Sequence, residues 1–196
     1  MQKTSDKLPQ FRSLALIAVG SNRKWEQLDA TSVVSSAIHL SVEALGVIRA
    51  KSRFFRTPAF PAGAGPDFVN AAFSVETDLP AHEVLECLHG VESAFGRERR
   101  QRWSARTLDL DLIALDGTVL PDMQTYQEWV GLPLEEQMSR TPAELILPHP
   151  RLQDRAFVLV PLLEVAPDWV HPATGQTIRQ MHNALPENLR QEVQPL

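Results

Sequence analysis

Two aspartates, Asp109 and Asp111, stand one residue apart in RTLDLDLIAL (106–115), a stretch with the pattern of a buried strand. Because residues i and i+2 of a strand share a face, both carboxylates point the same way, while the intervening leucines face the core. At a rise of about 3.3 Å per residue, the carboxylates start roughly 7 Å apart. That spacing suits one Mg²⁺ held between them, or two bridged ions, because hard carboxylate oxygens are preferred Mg²⁺ ligands.

A cluster of arginines lies immediately before this strand in an otherwise acidic chain. The stretch RERRQRWSAR holds Arg97, Arg99, Arg100, Arg102 and Arg106. Guanidinium groups bind phosphate oxygens in a fixed, bidentate geometry. Metal-binding carboxylates beside such arginines outline a triphosphate site. The position of the cluster between a helix and the strand suits a lid that closes over a nucleotide.

Each of these features has a plainer interpretation when it is taken alone. A three-residue Asp-x-Asp arises by chance more often than as a metal site, and on a solvated strand it means little. An arginine-rich stretch without the aspartates is more often a solvated loop, or less often an RNA-binding patch. The combination of the two favours the nucleotide site.

The elements around these residues predict an α+β domain with an antiparallel sheet. Four apolar runs predict strands, at 14–19, 50–55, 68–77 and 106–115. Helical spacing predicts one helix from about Trp25 to Leu45 and another from Pro80 to Phe95. The order β-α-β-β-α-β is the ferredoxin-like arrangement. Its two helices cover one face of the sheet and leave the other face for further elements or a ligand.

The pattern is weaker after Asp116-Gly117, which is a hairpin turn signal. Residues from about 118 to 146 have no clean period, and we expect a long excursion with some helical turns. RAFVLVPLLEVA (155–166) is strongly apolar, and Pro161 in its middle favours a kinked helix over a central strand. We expect residues 1–12 to be disordered and residues 13–190 to form a single domain.

The composition predicts a globular protein with small-molecule substrates. A net charge of −5 argues against nucleic-acid partners and anionic membranes, which both require a positive surface. No apolar run approaches the roughly 18 residues of a membrane span. The single cysteine, Cys87, cannot form an internal disulfide, so we expect a cytoplasmic protein. We further expect a monomer.

Four blocks of the sequence carry a family resemblance. RWSARTLDLDLI, FRTP, PDFVNAA and LPHPRLQDRAFVLVPLLEVAPDW together closely resemble the 6-hydroxymethyl-7,8-dihydropterin pyrophosphokinase family of folate biosynthesis. The resemblance extends from Leu14 to about Leu185. It implies transfer of the terminal pyrophosphate of ATP to the hydroxymethyl group of the pterin, with release of AMP and with two Mg²⁺ ions.

The resemblance also implies roles for individual residues. Asp109 and Asp111 match the metal ligands, while Arg97 and Arg106 match arginines that stabilise charge on the transferring phosphates. Positions that match ATP contacts are Glu92, Arg99, Arg100, Trp103, His149 and Arg155. Positions that match pterin contacts are Thr57, Pro58, Phe68, Asn70 and Phe157. A flat bicyclic ring gains from stacking between two aromatic faces, and an asparagine offers the donor and acceptor that a pterin edge requires.

Three positions depart from the family pattern. The stretch GSNRKW lacks the second glycine of the usual first loop, His89 stands where a glutamine is expected, and Ile146 replaces a polar residue. Taken singly, phenylalanines such as Phe68 and Phe157 are core residues more often than ring-binding ones. No side-chain base for the acceptor hydroxyl stands out.

Two other functions compete with the pyrophosphokinase. The first is a nucleotidyl- or phosphotransferase of the same fold with another acceptor, which Phe68, Asn70 and Phe157 argue against. The second is a non-catalytic RNA-binding module that uses the arginine stretch. The acidic balance and the aspartate pair argue against the module, because carboxylates repel phosphate unless a metal intervenes.

Overall fold

The computed structural model of the chain describes residues 12–59, 65–96, 107–133, 135–136 and 140–196. In chain order its elements are β1 (Ser13–Ser21), α1 (Ala30–Leu45), β2 (Val47–Lys51), β3 (Phe55–Thr57), β4 (Phe68–Thr77), α2 (Ala81–Ala94), β5 (Asp109–Leu115), α3 (Met123–Gly131), α4 (Ala156–Val165), α5 (Ile178–Ala184), α6 (Glu187–Gln191) and β6 (Gln194–Pro195). The predicted combination of helices with an antiparallel sheet is confirmed.

The sheet has the strand order β5-β1-β4-β3-β6, and β2 also pairs with β4. The central strand β1 is antiparallel to both of its neighbours. Its residue Gly20 pairs with Asn70 of β4 on one side and with Asp109 of β5 on the other. Two residues back, Ala18 pairs with Ala72 and Asp111. The register therefore places polar residues of two strands on either side of the same end of β1.

Each face of the sheet is covered by its own apolar core. On one face, β1, β4 and β5 pack against α1 and α2, with Ile17, Phe73 and Leu110 among the buried residues. On the other face, Leu16 and Ile113 pack with residues of α4 and α5. Alternate residues of β1 thus enter different cores, as the period of two in a strand requires. Burial of each such side chain contributes about 1.5–3 kcal/mol to folding.

The predicted start of the first helix at Trp25 is wrong. Trp25 and Leu28 instead pair through two backbone hydrogen bonds of 3.0 and 2.8 Å, which close a tight turn. The helix begins after Asp29, whose Oδ1 accepts the N–H of Ser32 at 2.8 Å. A capping carboxylate of this kind satisfies a donor that the first helical turn leaves unpaired.

The predicted strand 50–55 is divided into β2 and β3. The break falls at Ser52, which is 3% exposed. The Ser52 N–H donates to the carbonyl of Ala72, and its Oγ accepts the Ala72 N–H, each at 2.9 Å. A side-chain oxygen thus takes the place of a backbone carbonyl in the ladder, and the chain turns there. The second predicted helix, by contrast, begins directly after Pro80.

The long excursion is closed at its base by backbone pairing. The N–H groups of Leu120 and Leu147 donate to each other's carbonyls at 2.9 and 3.2 Å. The turn at Asp116-Gly117 is present, but Leu120 does not return to pair with β5, so the predicted hairpin is wrong for the described residues. The helical turns expected in this region correspond to α3. The prediction that 155–166 is helical is confirmed by α4, which contains Pro161.

Two buried aromatic residues fasten the excursion to the segment after α4. The Tyr126 hydroxyl lies 3.0 Å from Nε2 of His171, and both side chains are buried. Nδ1 of His171 accepts the N–H of Ala173 at 3.1 Å, which places the proton of the neutral ring on Nε2. Burial lowers the pKa of His171 and raises the pKa of Tyr126 to about 12, so both groups are neutral near pH 7.

No helix among the described segments has the length and apolar character needed to cross a membrane.

Acidification should weaken the folded state through His171. Its pKa is lower in the folded than in the unfolded chain, so the unfolded state gains the proton first as the pH falls below about 6.5. The free energy of unfolding should therefore decrease between about pH 7.5 and about pH 5.5, by at most about 1.4 kcal/mol per pH unit for this group. Urea unfolding across this range measures it.

His171→Gln should give a shallower pH dependence than the wild-type protein. The matched control is His39→Gln, because His39 is a highly exposed histidine on α1. This control should keep the wild-type slope. Equal slopes for the wild-type protein and His171→Gln would contradict the assignment.

Candidate active site

A cavity of about 490 Å³ opens beside the paired ends of β1, β4 and β5 and is closed on one side by α4. It brings together eight of the residues predicted from the sequence: Thr57, Pro58, Phe68, Asn70, Asp109, Asp111, Arg155 and Phe157. These residues come from segments up to 100 positions apart, so the fold assembles them. Their roles stay predictions, and the geometry below describes what each can do.

The aspartate pair faces the cavity, as the alternation of the strand predicts. Asp109 and Asp111 both line the cavity and are partly exposed. The leucines between and around them, Leu108, Leu110 and Leu112, are buried in the core with α1 and α2. The carboxylates therefore share one open face, while the apolar side chains of the same strand hold it on the sheet.

Hydrogen bonds hold the strand on either side of the first aspartate. Oε1 of Glu92 accepts the backbone N–H of Leu110 at 2.8 Å, between the two aspartates. Two residues before β5, the Ser21 hydroxyl donates to the Thr107 carbonyl at 2.5 Å, and the Thr107 hydroxyl donates to the Phe95 carbonyl at 2.7 Å. Glu92 is buried and does not line the cavity. Its predicted contact with ATP stays a prediction.

Two arginines place positive charge next to the pair. Nη1 of Arg155 lies 3.4 Å from Oδ2 of Asp111. Arg151 also lines the cavity, and burial together with the charge of Arg155 lowers the pKa of its guanidinium. Two neighbouring cations that repel each other are stabilised by an anion between them. This part of the cavity therefore favours a phosphate group near the carboxylates.

His149 lies close to the arginines and is held by backbone contacts. Its N–H donates to the carbonyl of Ile113 at 2.8 Å, and its Nδ1 accepts the N–H of Arg151 at 3.1 Å. Burial lowers the pKa of His149 to about 3, and the positive charge of Arg155 contributes. The ring is therefore neutral, with Nε2 as its donor. His149 does not line the cavity, and its contact with ATP stays a prediction.

The opposite part of the cavity combines an oriented amide with two aromatic rings. Nδ2 of Asn70 donates to Oγ1 of Thr57 at 2.7 Å, and both side chains are buried. Phe68 begins β4 and Phe157 lies in the first turn of α4, and both residues line the cavity. Phe157 is 41% exposed, which is unusual for a phenylalanine and leaves its ring accessible to a flat ligand.

The close approach of Asn70 to β1 requires a glycine. A Cβ atom at Gly20 would lie 2.6 Å from Oδ1 of Asn70, well inside van der Waals contact. Gly20 thus allows the amide to pack against the strand while its nitrogen bonds to Thr57. The glycine is part of the site because it sets the position of Asn70.

The donor set fits Mg²⁺ held jointly by protein and ligand. Within the described ranges, no group of three or more His, Cys, Asp or Glu side chains could hold a metal. Two carboxylates alone are a typical protein contribution to a Mg²⁺ site, because this ion keeps water and takes further ligands from substrate phosphates. Asp109 and Asp111 would hold it, next to the arginines expected to bind phosphate.

The remaining predicted residues, Arg97, Arg99, Arg100, Trp103 and Arg106, lie outside the described residues. Gly96, which directly precedes them in the sequence, is among the described residues. Gly96 has a φ of +72°, and a Cβ atom there would lie 2.1 Å from the Trp25 ring. The loop GSNRKW, which lacks the second family glycine, therefore packs its tryptophan against the end of α2.

Ten further residues line the cavity, and the sequence did not single them out as site residues: Ala18, Val19, Gly20, Arg151, Asp154, Ala156, Val158, Leu189, Glu192 and Val193. Arg151 and Asp154 belong to the quoted block LPHPRLQDRAF, and an arginine four residues before Arg155 was the signal that could have found them. The three C-terminal residues had no comparable signal, because residues 187–196 show no clear period.

Several curated proteins named 2-amino-4-hydroxy-6-hydroxymethyldihydropteridine pyrophosphokinase are similar to the chain. The Methylorubrum extorquens protein is 32% identical over 167 residues, which are 85% of this chain and 89% of that protein. The Bacillus subtilis protein is 30% identical over 166 residues, or 84% and 85% of the two chains. The Synechocystis protein is 40% identical over 130 residues, covering 66% of this chain and 56% of the relative.

Solved structures of HPPK-DHPS proteins share the fold. Wild-type Plasmodium falciparum HPPK-DHPS matches with a TM-score of 0.60 and 15% identity, over 88% of this chain and 44% of that one. An HPPK-DHPS in complex with substrates matches with a TM-score of 0.64 and 14% identity, again over 88% and 44%. At this identity the likeness shows the fold alone. The chain spans less than half of these two proteins.

The model of one family covers most of the chain. It describes 7,8-dihydro-6-hydroxymethylpterin-pyrophosphokinase (HPPK) and matches residues 16–167. All of the site residues predicted from the sequence fall inside that span. The chain therefore belongs to the 7,8-dihydro-6-hydroxymethylpterin-pyrophosphokinase family.

Proposed function

We propose that this protein transfers pyrophosphate from ATP to 6-hydroxymethyl-7,8-dihydropterin in folate biosynthesis and releases AMP and the pterin diphosphate. One observation carries the proposal above all. A single cavity holds an aspartate pair next to two arginines, and an oriented asparagine with two phenylalanine rings. Family membership, and relatives named for this activity, support the same reaction.

The nucleotide end is the part of the cavity around Asp109 and Asp111. We propose that these residues would hold two Mg²⁺ ions. When bound, Mg²⁺ neutralises charge on the phosphates of ATP. Arg155 and Arg151 line the same region and would bind phosphate oxygens. Entry of ATP would draw Arg155 from its 3.4 Å contact with Asp111 toward the phosphates, leaving that carboxylate to the metal.

The acceptor end is the part of the cavity around Asn70. Its amide nitrogen already donates to Thr57, so its oxygen and the Thr57 hydroxyl are held at set positions toward the pterin edge. Phe68 and Phe157 line the cavity and would stack on the faces of the pterin ring. Pro58 lines the cavity next to Thr57 and would limit movement of the ring.

The reaction needs the acceptor oxygen to reach the β-phosphorus of ATP. A bond forms from the hydroxymethyl oxygen to that phosphorus, the bond to the α,β-bridging oxygen breaks, the hydroxyl proton is lost, and AMP leaves. Because Gly20 pairs with both Asn70 and Asp109, β1 sets the distance between the acceptor and nucleotide ends. Positioning and charge compensation are the protein's main contributions to phosphoryl transfer.

We also propose that the core has the ferredoxin-like connectivity, with residues 13–190 as one domain and about 118–146 as an insertion. The strand order β5-β1-β4, with β2 and β3 both on the far side of β4, supports this topology. The pairing of Leu120 with Leu147 supports an insertion that leaves and returns at one point.

The activity can be tested by incubating the protein with ATP, Mg²⁺ and 6-hydroxymethyl-7,8-dihydropterin and separating the nucleotides. AMP that forms only in the presence of the pterin is the expected result, and EDTA should abolish it. ADP would indicate an ordinary kinase. Absence of any turnover, together with tight RNA binding, would instead indicate the RNA-binding module.

Asp109→Asn and Asp111→Asn should each lower kcat at least about 100-fold, because each removes a charge that holds the metal at the transferring phosphates. The matched control is Asp168→Asn, since Asp168 is highly exposed outside the cavity. This control should retain wild-type turnover. Rates of AMP formation measure the effect, and thermal unfolding checks the fold. Full activity in Asp109→Asn would overturn the metal assignment.

Gly20→Ala should weaken pterin binding about tenfold. The new Cβ would lie 2.6 Å from Oδ1 of Asn70, so the amide must shift and lose its 2.7 Å contact with Thr57. Gly117→Ala is the matched control, because nothing lies within 4 Å of a Cβ atom there. Dissociation constants measured by pterin fluorescence give the comparison. An Asn70 that acts only in packing would leave the constant unchanged in Gly20→Ala.

A further inference from the structure

We propose that the C-terminal segment (residues 189–196) forms one wall of the acceptor end and determines how tightly the pterin ring is bound. The inference rests on the proposed function, and it adds a part of the chain to the site. The family match ends at residue 167, so this segment lies beyond the region that the family model describes.

Strand pairing fastens the segment to the acceptor end. β6 pairs with β3 so that Pro195 faces Phe55 and Gln194 faces Arg56. The N–H of Leu196 donates to the carbonyl of Phe54 at 2.9 Å, which extends the pairing by one residue. The C-terminus therefore supports β3 along its edge.

The strand that it supports carries one of the acceptor residues. Thr57 is the last residue of β3, one position beyond the Arg56–Gln194 pair. Because the strands are antiparallel, the same step along the partner leads back to Val193. Val193 thus stands at the position that continues the register opposite Thr57, and both residues line the cavity. Displacing Val193 would disturb the pair of residues that orients the pterin edge.

The segment presents an apolar surface to the cavity. Leu189 and Val193 both line it, and Val193 is only 7% exposed because it also packs in the core with α4 and α5. Ala156 and Val158 of α4 continue the apolar lining. Such a surface suits the edge of a heterocyclic ring, which gains free energy when water leaves it, and does not suit a triphosphate.

Charge supports the same orientation of the ligand. Glu192 lines the cavity beside Val193. A carboxylate there would repel the phosphates of ATP. The 2-amino group and ring N–H of a pterin are donors, which a carboxylate tolerates. The C-terminal wall therefore belongs to the acceptor end of the cavity.

The backbone of the segment is fixed before the ligand arrives. The N–H of Glu192 donates to the Asn188 carbonyl and the N–H of Val193 to the Arg190 carbonyl, each at 3.2 Å. Nε2 of Gln194 donates to the Gln191 carbonyl at 2.6 Å. A wall held by its own hydrogen bonds on both sides of Val193 can bind a ring without first being ordered.

The test compares Val193→Ala with Val170→Ala in the chain of 196 residues. The change is the same in both, but Val170 is 51% exposed and lies outside the cavity. Binding of the dihydropterin is measured with saturating Mg²⁺ and α,β-methylene ATP, which cannot transfer its pyrophosphate. Val193→Ala should raise the dissociation constant for the pterin about tenfold and change the constant for the nucleotide less than about twofold.

A second variant removes residues 194–196 and keeps Val193. Loss of β6 should free the edge of β3 and again raise the dissociation constant for the pterin with little change for the nucleotide. Thermal unfolding of both variants monitors the fold. An equal loss of affinity for both ligands would overturn the inference, because it would indicate general destabilisation.

The outcomes separate this inference from the proposed function. A wild-type protein that does not bind the pterin overturns the proposed function and this inference with it. A wild-type protein that binds the pterin while Val193→Ala binds equally well overturns only the role of the C-terminal wall.

Discussion

The site depends on one electrostatic constraint, the placement of two carboxylates on the same open face of β5. Like charges at this spacing repel each other, and each raises the free energy of the other unless a cation lies nearby. The protein supplies one cation itself, because Arg155 lies 3.4 Å from Asp111. The strand also cannot relax away, since Glu92 binds its backbone between the two aspartates. The fold thus holds the pair where a metal bound to phosphate can satisfy it.

The sheet turns this local constraint into a two-part cavity. β1 lies between the strand of the aspartates and the strand of Asn70, so the spacing of its neighbours sets the spacing of the two ends. Strand separation in a sheet is nearly invariant, at about 4.8 Å. Side-chain adjustments can therefore tune affinity at either end without changing the distance between them. Helices on one face and α4 with α5 on the other keep this sheet rigid.

Sequence reasoning predicted most of the elements between residues 14 and 115, because each has a clear apolar period and recognisable turn residues. It failed where a single side chain took over a backbone role, as Asp29 does at the start of α1 and Ser52 does between β2 and β3. The aspartate face followed from strand alternation alone. The contribution of Leu189 and Val193 could not be predicted, because it depends on β6 reaching β3 from more than 130 residues away.

The contact between Trp25 and Gly96 links the first loop, GSNRKW, to the residue that precedes the arginine stretch. Only a residue without a side chain fits beneath the indole, and the backbone there is in the left-handed region as well. Substitutions at these two positions are consequently not independent, because an alanine at 96 would require a smaller residue at 25 and would still be strained by the positive φ. Gly96, which directly precedes the arginine stretch, therefore limits which residues can replace Trp25 in the first loop. Alignments of related chains should show these two positions changing together.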